Sequence, residues 1–262
     1  MNPGYFDTMP IGVILLFITI FMFAFCEAGY QVGAHYRKKQ DKEATVSLGP
    51  LLGGLLGMLA KQHAITFSIA ASQHNLRKEN VILEANAIGT AYMRADLLSE
   101  PIATEMKDLL REYVDIRLQA TNGGNLHAIL ARSVEIHHLL WEKVLSVSRT
   151  TTTPGVNISL AAQSINHVID MHEIRVSAGL YGRIPTVIWL ALFAITALSM
   201  ITIGTLVGLS GKRRLVVVVP MLLAFAVLVT LIADLNRPQK GMIKVGQQAM
   251  ISLQKNMSQD LK

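Results

Sequence analysis

"GMLAKQHAITFSIA", residues 57–70, is the stretch on which the fold turns. The chain is apolar on both sides of it, so that 47–72 as a whole is long enough to cross a bilayer. A hydrocarbon core of ~30 Å needs about 20 mostly apolar residues in a helix. Yet Lys61, Gln62 and His63 sit at its middle. An ammonium there costs roughly 2.5–3.5 kcal/mol on the insertion scale, so Lys61 should not face lipid. Along the helical face of Lys61 lie Gly54, Gly57, Ile65, Ser68 and Ser72, small or polar almost throughout. That is the pattern of a helix lining a cavity or packing closely on a neighbour. At about 100° per residue His63 points some 200° away, on a stripe with Leu56, Leu59, Thr66 and Ala70. One straight helix cannot aim Lys61 and His63 at a single axis. The expectation is that Lys61 faces a pore or central seam and His63 a neighbouring helix. The alternative is a buried polar patch in which Glu27 satisfies Lys61.

Composition places the rest. Of 262 residues, 51% are hydrophobic and 16% charged, with mean hydropathy +0.40. Soluble domains carry roughly 25% charged residues, so this is a membrane protein. One cysteine, Cys26, excludes a disulfide framework within the chain. The first ten residues contain no Lys or Arg and precede an apolar run too long for a signal peptide. The net charge of +6 lies largely beside apolar spans and reads as a topology signal rather than a nucleic-acid footprint.

Four segments qualify as spans: 11–34, 47–72, 184–207 and 215–235, the second being the weakest. Arg37, Lys38, Lys39 and Lys42 follow the first; Lys212, Arg213 and Arg214 join the third to the fourth. The positive-inside rule puts both linkers in the cytoplasm and both termini, with segment 73–183, on the other side. That segment carries eleven Lys/Arg against twelve Asp/Glu, so its own charge does not oppose this placement.

Segment 73–183 reads as helices. Val81, Ala85, Ile88, Tyr92 and Ala95 form one seam; Ile102, Met106, Leu109, Tyr113 and Ile116 form a second after Ser99-Glu100-Pro101. "TNGGN" (121–125) breaks the chain. Leu126, Leu130, Val134, His137 and Trp141 mark a third helix. Ile165, Val168, Ile169, His172 and Val176 mark a fourth, beginning at Asn157 or Ser159. No breaker stands between Ser68 and Ser99, so the second span should run on as one helix for on the order of 40 Å. The division is 1–72, a two-helix membrane unit; 73–183, a helical extramembrane domain; 184–235, a second two-helix unit; and 236–262, a tail that packs on the helical domain or lies at the interface.

Other candidates are weaker. Glu27, the only carboxylate inside the first span, is a partner for Lys61 or His63, a proton site, or a side chain snorkelling to the interface. Gly49, Gly53 and Gly57 form overlapping Gly-x-x-x-Gly patterns that permit close helix approach, within the chain or between copies. His137-His138, His167 and His172 lack the i, i+4 spacing of helical zinc ligands and read as structural. No nucleophile-base arrangement, phosphate loop or glycine fingerprint is present, so neither enzyme chemistry nor a metal or other cofactor is expected.

Five blocks resemble the bacterial bestrophin-like membrane proteins: "ENVILEANAIGTAYMRADLL" (79–98), "REYVDIRL" (111–118), "LLWEKVLSVSR" (139–149), "INHVIDMHEIR" (165–175) and "DLNRPQKGMIKV" (234–245). The resemblance covers nearly the whole chain, and "EANAIGTAY" is its most specific block. It implies an all-α fold of four transmembrane helices with the helical domain inserted between spans 2 and 3, in the bacterial inner membrane. Bestrophins are pentameric anion channels, and that layout is what the resemblance carries over. Two departures are Lys61-Gln62-His63 in place of an apolar run, and Asn236 where a second acidic residue usually accompanies Asp234. The expected function is a homo-oligomeric ion channel conducting anions along Gly54, Gly57, Lys61, Ile65 and Ser68, with Glu27, Gln62, His63 and Thr66 as intramembrane polar partners. Its partners would be further copies of itself (a pentamer by analogy), the lipid bilayer and small inorganic ions, with no nucleic acid. The alternative is a non-conducting scaffold or sensor whose helical domain binds a partner.

Overall fold

The computed structural model describes residues 9–39, 49–121, 123–150, 155–211, 215–237 and 241–260. Eight helices and no strands are present among them. These are α1 (Ile11–Lys39), α2 (Gly49–Ala95), α3 (Ile102–Gln119), α4 (Leu126–Thr150), α5 (Val156–Leu180), α6 (Thr186–Ser210), α7 (Leu215–Leu235) and α8 (Gln248–Gln259). As the missing breaker implied, α2 is one unbroken helix of 47 residues. The cationic linkers at Lys42 and 212–214 lie outside the described residues.

The chain forms two compact units, 1–74 with 183–244 and 75–182 with 245–262. In the first, α1 packs on α6 and α7. Ile14, Ile18, Met22 and Cys26 make the buried stripe of α1, while Leu16, Phe17, Ile20 and Phe23 are exposed on its outer side. Among the described residues three helices are long and apolar enough to cross a membrane: Ile11–Lys38, Thr186–Ser210 and Leu215–Leu235. Residues 49–74 of α2 do not reach that composition, because Lys61, Gln62 and His63 interrupt them.

The closest approach of α1 and α6 rests on four glycines. A Cβ added at Gly29 or Gly33 would overlap the carbonyls of Ile201 or Thr205; one at Gly204 or Gly208 would overlap those of Cys26 or Tyr30. Two Gly-x-x-x-Gly pairs thus let the backbones touch. α6 ends in left-handed Gly211, φ +74°, where the Arg37 guanidinium fills the space a side chain would take. A cation there also complements the negative end of the helix dipole.

The end of α7 is a clamp. The buried Asp234 carboxylate accepts the backbone N–H of Met242 at 2.8 Å and of Ile243 at 2.9 Å. Asn236 accepts the N–H of Ile184 at 2.8 Å, and Arg237 donates to the carbonyl of Met9 at 2.8 Å. Asn236, the departure from the resembling blocks, therefore binds the chain just before α6.

In the second unit α3 packs on α4 and α8, and α4 on α5. Its core includes Ile88, Met106, Leu110, Ile136, Leu140, Ile165 and Val168, with Met250 and Met257 of α8. The last helix of the tail thus packs within the helical unit, while residues 236–244 belong to the first unit. The Asn125 side chain accepts the N–H groups of His127 at 3.1 Å and Ala128 at 3.3 Å, capping α4. Arg77 donates to the carbonyls of Ala178 at 3.3 Å and Gly182 at 2.5 Å, closing the end of α5. The α2 seam from Val81 to Ala95 is buried as expected. The α4 seam needs correction. Val134 is exposed, and the buried line is Ile129, Ser133, Ile136, Leu140, Val144 and Val147. Both faces of α4 are apolar, and packing on α3 and α5 selects one.

Candidate functional site

The polar stretch of α2 is divided between two faces. Gly54, Gly57, Lys61, Ile65 and Ser68 are all exposed. His63 and Thr66 are fully buried, and Gln62 is half-buried. The His63 ring lies 5.4 Å from that of Phe225 on α7, and its Nδ1 is 2.8 Å from the carbonyl of Leu59. Its Nε2 is buried without a hydrogen-bond partner among the described residues. Thr66 donates to the carbonyl of Gln62 at 2.9 Å, the usual way for a hydroxyl to be satisfied where water is absent. His63 therefore faces a neighbouring helix, and Lys61 stands on the other side of α2. Glu27 is half-buried on α1. Gly53 is exposed like Gly54 and Gly57, and a Cβ at any of the three would meet nothing within 4 Å. Gly49 opens α2.

A second constellation lies in the helical unit. Glu84 on α2, fully buried, is the hub. The Tyr113 hydroxyl of α3 donates to its Oε1 at 2.8 Å. Arg117 Nε lies 3.0 Å from the same oxygen, and Arg117 Nη2 donates to Oε2 at 3.4 Å. Arg175 of α5 pairs with Oε2 through Nη1, and its Nη2 reaches Gln247 at 2.8 Å. Tyr113 is also 2.9 Å from His172 Nδ1. The single hydroxyl hydrogen goes to the carboxylate, so the assignment that satisfies both bonds puts a hydrogen on His172 Nδ1, donating to the tyrosine oxygen. His137 of α4 stacks edge-on to His172 with ring centroids 4.8 Å apart, and its centroid is 5.1 Å from that of Tyr113.

Electrostatics fix the protonation. Burial alone would raise the Glu84 carboxyl, but Arg117 and Arg175 overcome it and hold it below its usual value. Burial and the Glu84 charge push the Tyr113 hydroxyl well above its ordinary value. Burial, reinforced by Arg117, lowers both His137 and His172 to about 4. At neutral pH the cluster therefore holds one carboxylate, two guanidiniums and two neutral imidazoles. Among the described residues no three His, Cys, Asp or Glu side chains converge as a metal site.

Sequence spacing separated the histidines into unrelated local patterns. The fold brings His137 and His172 together and leaves His138 and His167 exposed. A signal was present: Glu84 falls between Val81 and Ile88 on the buried seam, Arg117 follows Tyr113 by four residues, and Arg175 follows His172 by three. Charged groups in register with apolar seams mark a buried ionic cluster.

Comparison with curated proteins gives no match, and comparison with solved structures gives none either. The bestrophin-like domain matches residues 16–250, from within α1 to the start of α8 and so across both units. With its helices long and apolar enough to span a bilayer, this chain is a multi-pass membrane protein that belongs to the bestrophin-like family.

Proposed function

We propose that the chain is the subunit of a homo-oligomeric ion channel, conducting anions, in which residues 49–74 of α2 are a fourth span lining the pore. The observation that carries this reading is the open face of α2. Gly54, Gly57, Lys61, Ile65 and Ser68 are exposed together, while His63 and Thr66 on the opposite side are buried. An ammonium against lipid is costly, so this face calls for further copies of the chain around a hydrated axis. Small residues at 54 and 57 leave width, and a ring of Lys61 favours anions as cationic rings do in other pores. A pentamer follows the bestrophin analogy, which is an analogy of fold. The basic linkers support a placement with the helical unit and both termini outside the cytoplasm of a bacterial inner membrane.

The test is the reversal potential of purified protein in planar bilayers under a chloride gradient. Wild type should select anions, and Lys61→Glu should move the reversal potential toward cation preference. Lys61→Leu should lower conductance by drying the constriction. A conducting Lys61→Glu channel with an unchanged reversal potential would remove Lys61 from the ion path. Silence of wild type at high protein loading would favour the non-conducting scaffold.

A further inference from the structure

We propose that the buried pair His137–His172 makes the helical unit an acid-sensitive switch, in which protonation of either ring loosens α4 and α5 from α3. This inference stands whether or not the chain conducts.

The argument is charge neutrality. Every charged or titratable group recorded at the pair comes from four segments: Glu84 from α2, Tyr113 and Arg117 from α3, the pair itself from α4 and α5, and Arg175 from α5. Gln247, ahead of α8, adds only an amide. The one carboxylate already receives Tyr113, Arg117 and Arg175. His138, next in sequence, and the nearby carboxylates Glu135 and Glu142 on α4 and Asp170 and Glu173 on α5 are exposed. A third cation inside would have no counterion left. Two cationic rings 4.8 Å apart would also repel each other. His137 is the ring through which α4 touches both Tyr113 of α3 and His172 of α5, so a charge placed there falls where the three helices meet.

The direction follows from linkage. Both rings titrate near 4 in the fold, below the ordinary 6.5, so the opened unit binds more protons between those values. Closure is complete above pH 6.5 and weakens as pH falls toward 4. Each histidine makes the opening constant rise by up to tenfold per pH unit in that window, so the pair gives up to a hundredfold.

The experiment is hydrogen exchange of the full-length protein in detergent micelles at pH 7, 6 and 5, corrected for the intrinsic amide rate. Surface carboxylates remain largely ionised over this range. Peptides covering 129–147 and 161–176 should show an opening constant that rises more than tenfold per unit below pH 6, while α6 peptides stay unchanged. His137→Phe keeps the ring packing and His172→Gln keeps a donor to Tyr113; each should reduce the slope to at most tenfold. A pH-independent opening constant in wild type overturns the proposal even if neither variant folds. So does a slope above tenfold that survives in both variants.

Discussion

Glu84 is a single carboxylate serving two guanidiniums and a phenol. Removing one side of a buried ion pair leaves the other charge uncompensated and costs about 3–5 kcal/mol. Glu84→Gln strands two cations, so it should destabilise the helical unit by at least that much. Tyr113→Phe deletes hydrogen bonds without stranding a charge and should cost about 1–3 kcal/mol. Glu135→Gln alters only a pair exposed to solvent with Arg132 and should be nearly neutral. Urea midpoints followed by Trp141 fluorescence in a Trp189→Phe background rank the three. Equal effects of the first two would mean that Glu84 is not the charge hub.

At the scale of elements, the α1–α6 crossing is the contact least tolerant of added volume. Gly204→Ala forces a methyl into the Cys26 carbonyl, and overpacking of this kind costs about 1–3 kcal/mol. Gly12→Ala, on the same helix pair but in open space, should be neutral or slightly stabilising. Thermal melting of the detergent-solubilised protein distinguishes them, and equal melting temperatures would contradict the close approach. The sequence contained these glycine pairs as plainly as Gly49, Gly53 and Gly57. Spacing states that a helix can approach something closely, but not which helix it meets. The extent of α2 was readable because nothing in 68–99 breaks a helix. The α4 seam was not, since both of its faces are apolar and only its neighbours choose. The ionic cluster needed four segments brought together, and no local spacing encodes that meeting.

For the molecule as a whole, orientation is the property that charge distribution decides. Cysteines placed at Asn122 and Lys212, both outside the described residues, report the two sides in a Cys26→Ser background. An impermeant thiol reagent applied to intact cells should label the first and spare the second. The reverse pattern would put the helical unit in the cytoplasm. The division of Lys61 and His63 between two faces of α2 was legible because residues two apart on a helix point some 200° from each other.

The clamp at the end of α7 also has a meaning in time. Arg237 holds the carbonyl of Met9 across 228 positions of sequence, and Asn236 holds Ile184 across 52. A ribosome adds about 5–20 residues per second, so the first turn of α1 waits on the order of ten seconds or more for its tether. α1 is thus fastened by a segment made more than two hundred residues later. A nascent chain halted before residue 234 carries its apolar helices without this fastening, and translation past the end of α7 is what closes the membrane unit.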